Sequence, residues 1–257
     1  MTILHAIILG IVEGITEFLP ISSTGHLILT SNILGLESTE FLKTFEIAIQ
    51  AGAIISVLAL VIKDVWNNFE IYKKIAIAFL PTALIGLIAY KYVKQFLGNP
   101  AIVAWALIIG GIIMILVEWF KKEDVSLPED RSLGDISYKQ SFLLGLFQSI
   151  ALIPGISRSG ATIIGGRLIG IGRKSLVYFS FLLAIPTLGA ATGLDLLKTG
   201  FSFTVHQWLL LAIGVITSAI VAYIAMRWLL RFISNHTFIP FGIYRIIVGI
   251  IFLLFVI

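Results

Sequence analysis

The chain has 257 residues, 58% hydrophobic and 12% charged, with a mean hydropathy of +1.04 and a formal net charge of +4. Soluble domains carry about a quarter charged residues, so the polar residues here are too few for a soluble shell, and a soluble enzyme, a disordered chain and a nucleic-acid-binding domain are excluded. The composition is that of an integral membrane protein, and the absence of cysteine removes disulfides, thiolate zinc sites and cysteine nucleophiles.

The first apolar stretch, about residues 3–34, is broken near its middle by Pro20 and the Ser-Ser-Thr-Gly that follows. Each half is too short to cross a bilayer at about 1.5 Å per residue, which predicts a re-entrant helical hairpin. Glu13 and Glu17 in its leading half argue against a cleavable signal peptide. Full helical crossings are expected at roughly 46–62, 75–97 and 100–119. A polar segment at 120–139, with mixed charges, reads as a linker. A second broken stretch, about 141–172, predicts another re-entrant hairpin, and further crossings follow at 175–197, 206–226 and 238–257. The expected fold is all-α and polytopic, with six full transmembrane helices and two hairpins in one membrane domain, 1–257. Trp66, Tyr72, Trp119 and Trp228 read as interfacial anchors.

The two broken stretches repeat each other. Residues 8–36 align without gaps to 143–171 at an offset of 135, with Gly10 on Gly145, Ser22 on Ser157, Gly25 on Gly160 and Gly35 on Gly170. Three crossings separate the hairpins, and an odd number puts them on opposite faces. The halves 1–119 and 140–257 are therefore expected to form an inverted-topology repeat with the two breaks meeting inside the bilayer. Lys63, Lys73, Lys74, Lys121, Lys122, Arg131, Lys139, Arg173, Lys174, Arg227 and Arg231 fall on one side, and Lys43, Lys91, Lys94 and Lys198 on the other. The richer side is expected to be cytoplasmic, so that the first hairpin and both termini face outward.

Chemistry concentrates at the breaks, because irregular backbone at membrane depth survives only beside protein or a wet cavity. Glu13 and Glu17, four apart, share a helix face. Two carboxylates this close repel and are expected to share a proton or a cation, which suits a hard divalent ion bound through oxygen. Beyond Pro20 come Ser22, Ser23, Thr24, Gly25 and His26. One hydroxyl is expected to cap the new helix; His26 either packs in the core or, near two carboxylates, suits proton transfer. The second break holds Pro154, Gly155, Ser157, Arg158, Ser159 and Thr162. Glycine, free N–H groups at a restarting helix and an arginine among hydroxyls suit a phosphate or diphosphate. The partner of Arg158 is such an anion, Glu17 of the other repeat, or both.

The repeats have diverged: Glu13 is matched by Gln148, Glu17 by Leu152, His26 by Ala161 and Ser23 by Arg158. One half supplies acids, imidazole and hydroxyls, and the other a cationic anion clamp, the division a single composite site needs. Glu46 and Gln50 are left open as contributors, while Arg167, Asp195 and Arg245 read as structural or interfacial.

The segments EGITEFLPISSTGHLI and PGISRSGATI resemble the two signatures of the undecaprenyl-diphosphate phosphatase family of the BacA type, and the resemblance extends over the whole chain. It implies removal of one phosphate from the polyprenyl diphosphate, recycling the lipid carrier for peptidoglycan synthesis and conferring bacitracin resistance, in the bacterial inner (plasma) membrane with an outward-facing site. The family pattern maps onto Glu13, Glu17, Ser22, Ser23, His26, Ser157, Arg158, Ser159 and Thr162. On the residues' own chemistry Glu17, Ser23, His26 and Arg158 are the expected catalytic groups, and Ser22, Thr24, Gly155, Ser157, Ser159 and Thr162 the expected phosphate-binding ones. Glu13 and Glu17 would hold a divalent cation, Mg2+ or Ca2+. Ser23 is the candidate nucleophile with His26 or Glu17 taking its proton, and direct attack by water is the alternative. A transporter or flippase of the same lipid is the rival reading, since an inverted repeat suits both. Oligomeric state is left open, a homodimer included.

Overall fold

The computed structural model describes residues 1–65, 68–96, 99–121, 133–199 and 203–255. The described residues form eleven α-helices and two short 3-10 turns. In the first half these are α1 (Ile3–Thr16), α2 (Ser23–Ile33), α3 (Glu40–Ala48), α4 (Gln50–Val65), α5 (Phe69–Phe96) and α6 (Pro100–Phe120). In the second they are α7 (Tyr138–Ser149), α8 (Arg158–Leu168), α9 (Arg173–Thr199), α10 (Val205–Ile233) and α11 (Ile239–Phe255). Most of the expected linker, and the anchor Trp66, lie outside the described residues.

Among the described residues five segments are long and apolar enough to cross a membrane: Glu40–Val61 (α3 running into α4), Phe69–Ala89, Pro100–Phe120, Arg173–Asp195 and Val205–Ile233. The segment expected at 238–257 is α11, shorter at 17 residues. Two crossings begin earlier than hydropathy suggests. Thr39 caps α3 by accepting from Leu42 N–H, and the helix then carries Glu40, Lys43 and Glu46 while burying Leu42, Phe45 and Ala48. Helix α5 likewise opens on a charged turn with Glu70 and Lys73 paired at 2.8 Å. Large apolar side chains such as Ile88, Ile109, Ile113 and Phe255 stand exposed, a surface suited to hydrocarbon rather than water.

Helices of the two halves fall in register. Shifted by 135, Ser23–Ile33 coincides with Arg158–Leu168. Even the helix stops agree: Gly35 and Gly170 both adopt positive φ, at 63° and 81°. At the first stop Leu36 N–H reaches Ser31 C=O, and at the second Ile171 N–H reaches Gly166 C=O, the αL ending that glycine permits.

The halves interlock rather than sit side by side. Helix α1 packs on α10, and α7 on α5. Bare glycines allow these crossings: a Cβ on Gly10 would lie 2.8 Å from Gly214 O, and one on Gly145 only 2.0 Å from Ala78 O. Helices α6 and α11 cross the same way, Gly111 against Gly242. At one end, Arg167 and Arg173 converge on the two oxygens of buried Glu118, at 3.1 and 2.7 Å. This pins the end of α6 to the hairpin exit between α8 and α9.

Candidate active site

Proline lacks the N–H that a helix interior requires and disfavours helical backbone before it. Helix α1 accordingly stops at Thr16, four residues short of Pro20, and its last N–H bond is Glu17 to Glu13 C=O at 2.9 Å. Both carboxylates thus sit on one face at the helix end, fully buried for Glu13 and 6% exposed for Glu17. The chain turns through 17–22 and restarts at Ser23. Ser22 has φ +73°, the one positive φ outside glycine among the described residues. In the second break α7 gives way to a 3-10 turn, Ile150–Leu152, then Pro154 and Gly155 at φ +90°. Ser157 caps α8 there, its Oγ accepting from Gly160 N–H at 3.1 Å. In the first break the N-cap Ser22 makes no such side-chain bond.

The two breaks meet. Ser23 Oγ donates to Glu17 Oε2 at 2.5 Å. The other oxygen, Oε1, accepts from Arg158 Nη2 at 3.2 Å and Nε at 3.4 Å. Arg158 is fixed further by Nη1 donating to Ser180 C=O on α9 at 2.9 Å, and it lies over the Phe18 ring at 5.8 Å. A hydroxyl, a carboxylate and a guanidinium are therefore joined through a contact between residues 141 apart in sequence. They face a cavity of about 210 Å³ lined by Glu17, Ser22, Ser23 and Thr24 from the first break and Ile156, Ser157 and Arg158 from the second.

Other candidates point elsewhere. His26 engages Ser22 C=O through Nδ1 at 2.7 Å and Tyr244 Oη through Nε2 at 2.8 Å, stacking on the Tyr244 ring, and it does not line the cavity. The Gly155 carbonyl is occupied by Arg245, Ser159 Oγ by Leu19 C=O, and Thr162 Oγ1 by Arg158 C=O. Of the two residues left open, Gln50 lines the cavity, whereas Glu46 accepts from Ser31 Oγ at 2.8 Å. Sequence reasoning missed Thr82 on α5 and Thr187 on α9, both on the cavity wall. Gln148, noted only as the counterpart of Glu13, lies beside them and donates through Nε2 to Thr82 Oγ1 at 3.0 Å. An isolated threonine in an apolar run was the available signal.

Among the described residues no three His, Cys, Asp or Glu side chains are grouped to hold a metal ion. Both oxygens of Glu13 are nevertheless buried with no hydrogen-bond partner, beside Glu17 and with Arg158 the nearby cation. An unpaired buried carboxylate is costly. The pair fits a hard cation whose remaining ligands are hydroxyl, amide or water oxygens.

Comparison with known proteins places the whole chain in one family. The family model described as bacitracin resistance protein BacA matches residues 6–251. A protein named undecaprenyl-diphosphatase from Aquifex aeolicus is 50% identical over 256 residues, 99% of each chain. Its namesake from Persephonella marina is 50% identical over 256 residues, the whole of both chains. That from Wolinella succinogenes is 49% identical over 255 residues, 99% of this chain and 98% of its own. A full-length match of this strength, on a chain whose two signature segments meet at one cavity, makes this protein a member of the bacitracin resistance protein BacA family.

Proposed function

We propose that the cavity between the breaks hydrolyses undecaprenyl diphosphate to undecaprenyl phosphate and inorganic phosphate, as the relatives' name states for them. The observation that carries this reading is Glu17 bridging Ser23 and Arg158. Ser23 Oγ attacks the terminal phosphorus, the anhydride bond to the bridging oxygen breaks, and the hydroxyl proton passes to Glu17, which already accepts it. Water then cleaves the phosphoserine, returns the hydroxyl and releases phosphate. Glu17 is preferred over His26 as the proton acceptor because both His26 nitrogens are engaged away from the cavity. Arg158 turns its fork from Glu17 to the phosphoryl oxygens, with Ser22 and Thr24 as further hydrogen-bonding groups, while Ser157 shapes the second break by capping α8. Gly155, Ser159 and Thr162 act through the backbone shape of the second break. Glu13 and Glu17 would hold the divalent cation, which supplies positive charge against the diphosphate.

We further assign the two hairpins as re-entrant, α11 as a sixth crossing, and 1–119 and 140–257 as inverted repeats. The 135-residue register and the short α1, α2, α7 and α8 support this. The basic residues support a plasma-membrane protein whose site faces outward.

The test is phosphate release from C55 diphosphate by purified protein in detergent, with and without chelator. Release that chelator abolishes is expected. Detergent has no second compartment, so an absence of release would return the protein to the flippase reading.

A further inference from the structure

Arg245 on α11 is 2% exposed, and no carboxylate pairs with it among the described residues. All four hydrogen bonds recorded for its guanidinium go to backbone carbonyls. Nη1 donates to Pro20 C=O at 3.2 Å, and Nη2 to Gly155 C=O at 3.2 Å and Ala106 C=O at 3.0 Å. Nε reaches Leu107 C=O at 3.4 Å. Pro20 lies in the first break and Gly155 in the second. Neither carbonyl is part of a helix ladder, so each needs a donor at membrane depth. One planar cation supplies both and ties them to α6.

Room for it is built in. Residue 245 is the counterpart of residue 110 at the 135-residue offset, and position 110 is glycine. A Cβ there would lie 2.3 Å from Arg245 Nη2, and one on Gly160 3.2 Å from Nη1. One half provides the guanidinium and the other the space it fills.

We propose that Arg245 is a positioning residue that sets the placement of the two breaks relative to each other, and so of Ser23 and Glu17 against Arg158. It touches none of the reacting groups; it acts through the Pro20 and Gly155 carbonyls. The consequence for rate rests on the diphosphatase reading, whereas the consequence for break geometry does not. Lysine cannot replace it, because three donors on one nitrogen cannot reach carbonyls on three elements.

The experiment uses Arg245→Lys and Gly110→Ala, the second leaving the arginine in place but pressing a methyl on it. Because the chain has no cysteine, Ile15→Cys and Ile153→Cys, both exposed, place two spin labels on the two hairpins without background. For both variants we expect a broadened inter-label distance distribution. We also expect kcat reduced about 10- to 100-fold, the loss typical of a misplaced reacting group, with KM within about threefold. Folded yield of Gly110→Ala should stay near the parent's, with an unfolding midpoint a few degrees lower, since the methyl must shift a buried side chain. The proposal is overturned if kcat and distances both stay at parent values, or if one changes without the other. It is also overturned if activity falls only in step with folded yield. A parent that releases no phosphate, with label distances that still broaden in the variants, would sink the diphosphatase reading and uphold the brace.

Discussion

Ser22 and Ser157 hold the same place in the two breaks, yet their backbones have opposite hand, φ +73° against −57°. Ser157 spends its hydroxyl on capping α8. Ser22 instead turns its carbonyl to His26, whose N–H and Nδ1 approach at 3.3 and 2.7 Å, and its hydroxyl stays uncommitted at the cavity. A non-glycine residue in such a conformation costs on the order of 1–3 kcal/mol. Ser22→Gly should therefore unfold no earlier than the parent in a detergent melt. Ser22→Val, branched at Cβ, should unfold several degrees earlier.

Glu17→Gln keeps the shape of the side chain and removes the base and the charge that pairs Arg158. Phosphate release should fall by about 100-fold or more, while the protein still inserts and elutes as the parent does. Turnover near the parent rate would make Glu17 a structural ion-pair partner only.

Both carboxylate oxygens of Glu13 are buried beside Glu17 without a donor among the described residues, so a bound cation would offset the charge of the pair. Glu13→Gln should melt at or above the parent temperature in chelator, where like-charge repulsion with Glu17 is relieved. The same variant should need at least tenfold more divalent ion for half-maximal turnover. Titration of activity against free divalent ion reads this directly; an unshifted curve would remove Glu13 from the cation site.

Arg158→Lys retains charge but cannot reach Glu17 and Ser180 C=O with separate, splayed donors as the guanidinium does. Turnover should drop by about 10²–10³-fold with normal membrane insertion. Insertion that fails would instead make the residue a strut of the fold.

At the crossing of α7 and α5, Gly145→Val should abolish folded protein, since any Cβ meets Ala78 O at 2.0 Å. Gly189→Ala, with open space around its Cα, should be neutral. Size-exclusion profiles of the two variants make the comparison.

Much of this was legible in the sequence because it is local or repetitive. Prolines and glycines marked both breaks, and a constant offset linked Gly10 to Gly145 and Gly35 to Gly170. The pairing of Glu17 with Arg158 was foreseeable because each is an intramembrane charge without a neighbour of opposite sign. Side-chain direction was not legible. His26 and Ser23 share a helix, and only the packing of α2 near Tyr244, 218 residues away, turns the imidazole off the cavity. Thr82 and Thr187 reach the cavity through helix crossings, so a hydroxyl in an apolar run is the one local mark either carries. The charged starts of α3 and α5 escaped because hydropathy reports the hydrocarbon-facing length, not the helix.

The crossing of α1 with α10 has a consequence for biogenesis. The partner surface of α1 at Gly10 and Gly14 is supplied by Gly214, Thr217 and Ser218, so α1 waits for α10, which is made much later. At roughly 5–20 residues per second, the ribosome adds the intervening chain over on the order of 10–40 s. Throughout that interval Glu13 and Glu17 sit on a helix whose final neighbour does not yet exist, and the site cannot assemble before the second half is inserted. Neither half alone should hold the site, whereas the two halves made as separate chains in one membrane retain every contact needed to find each other.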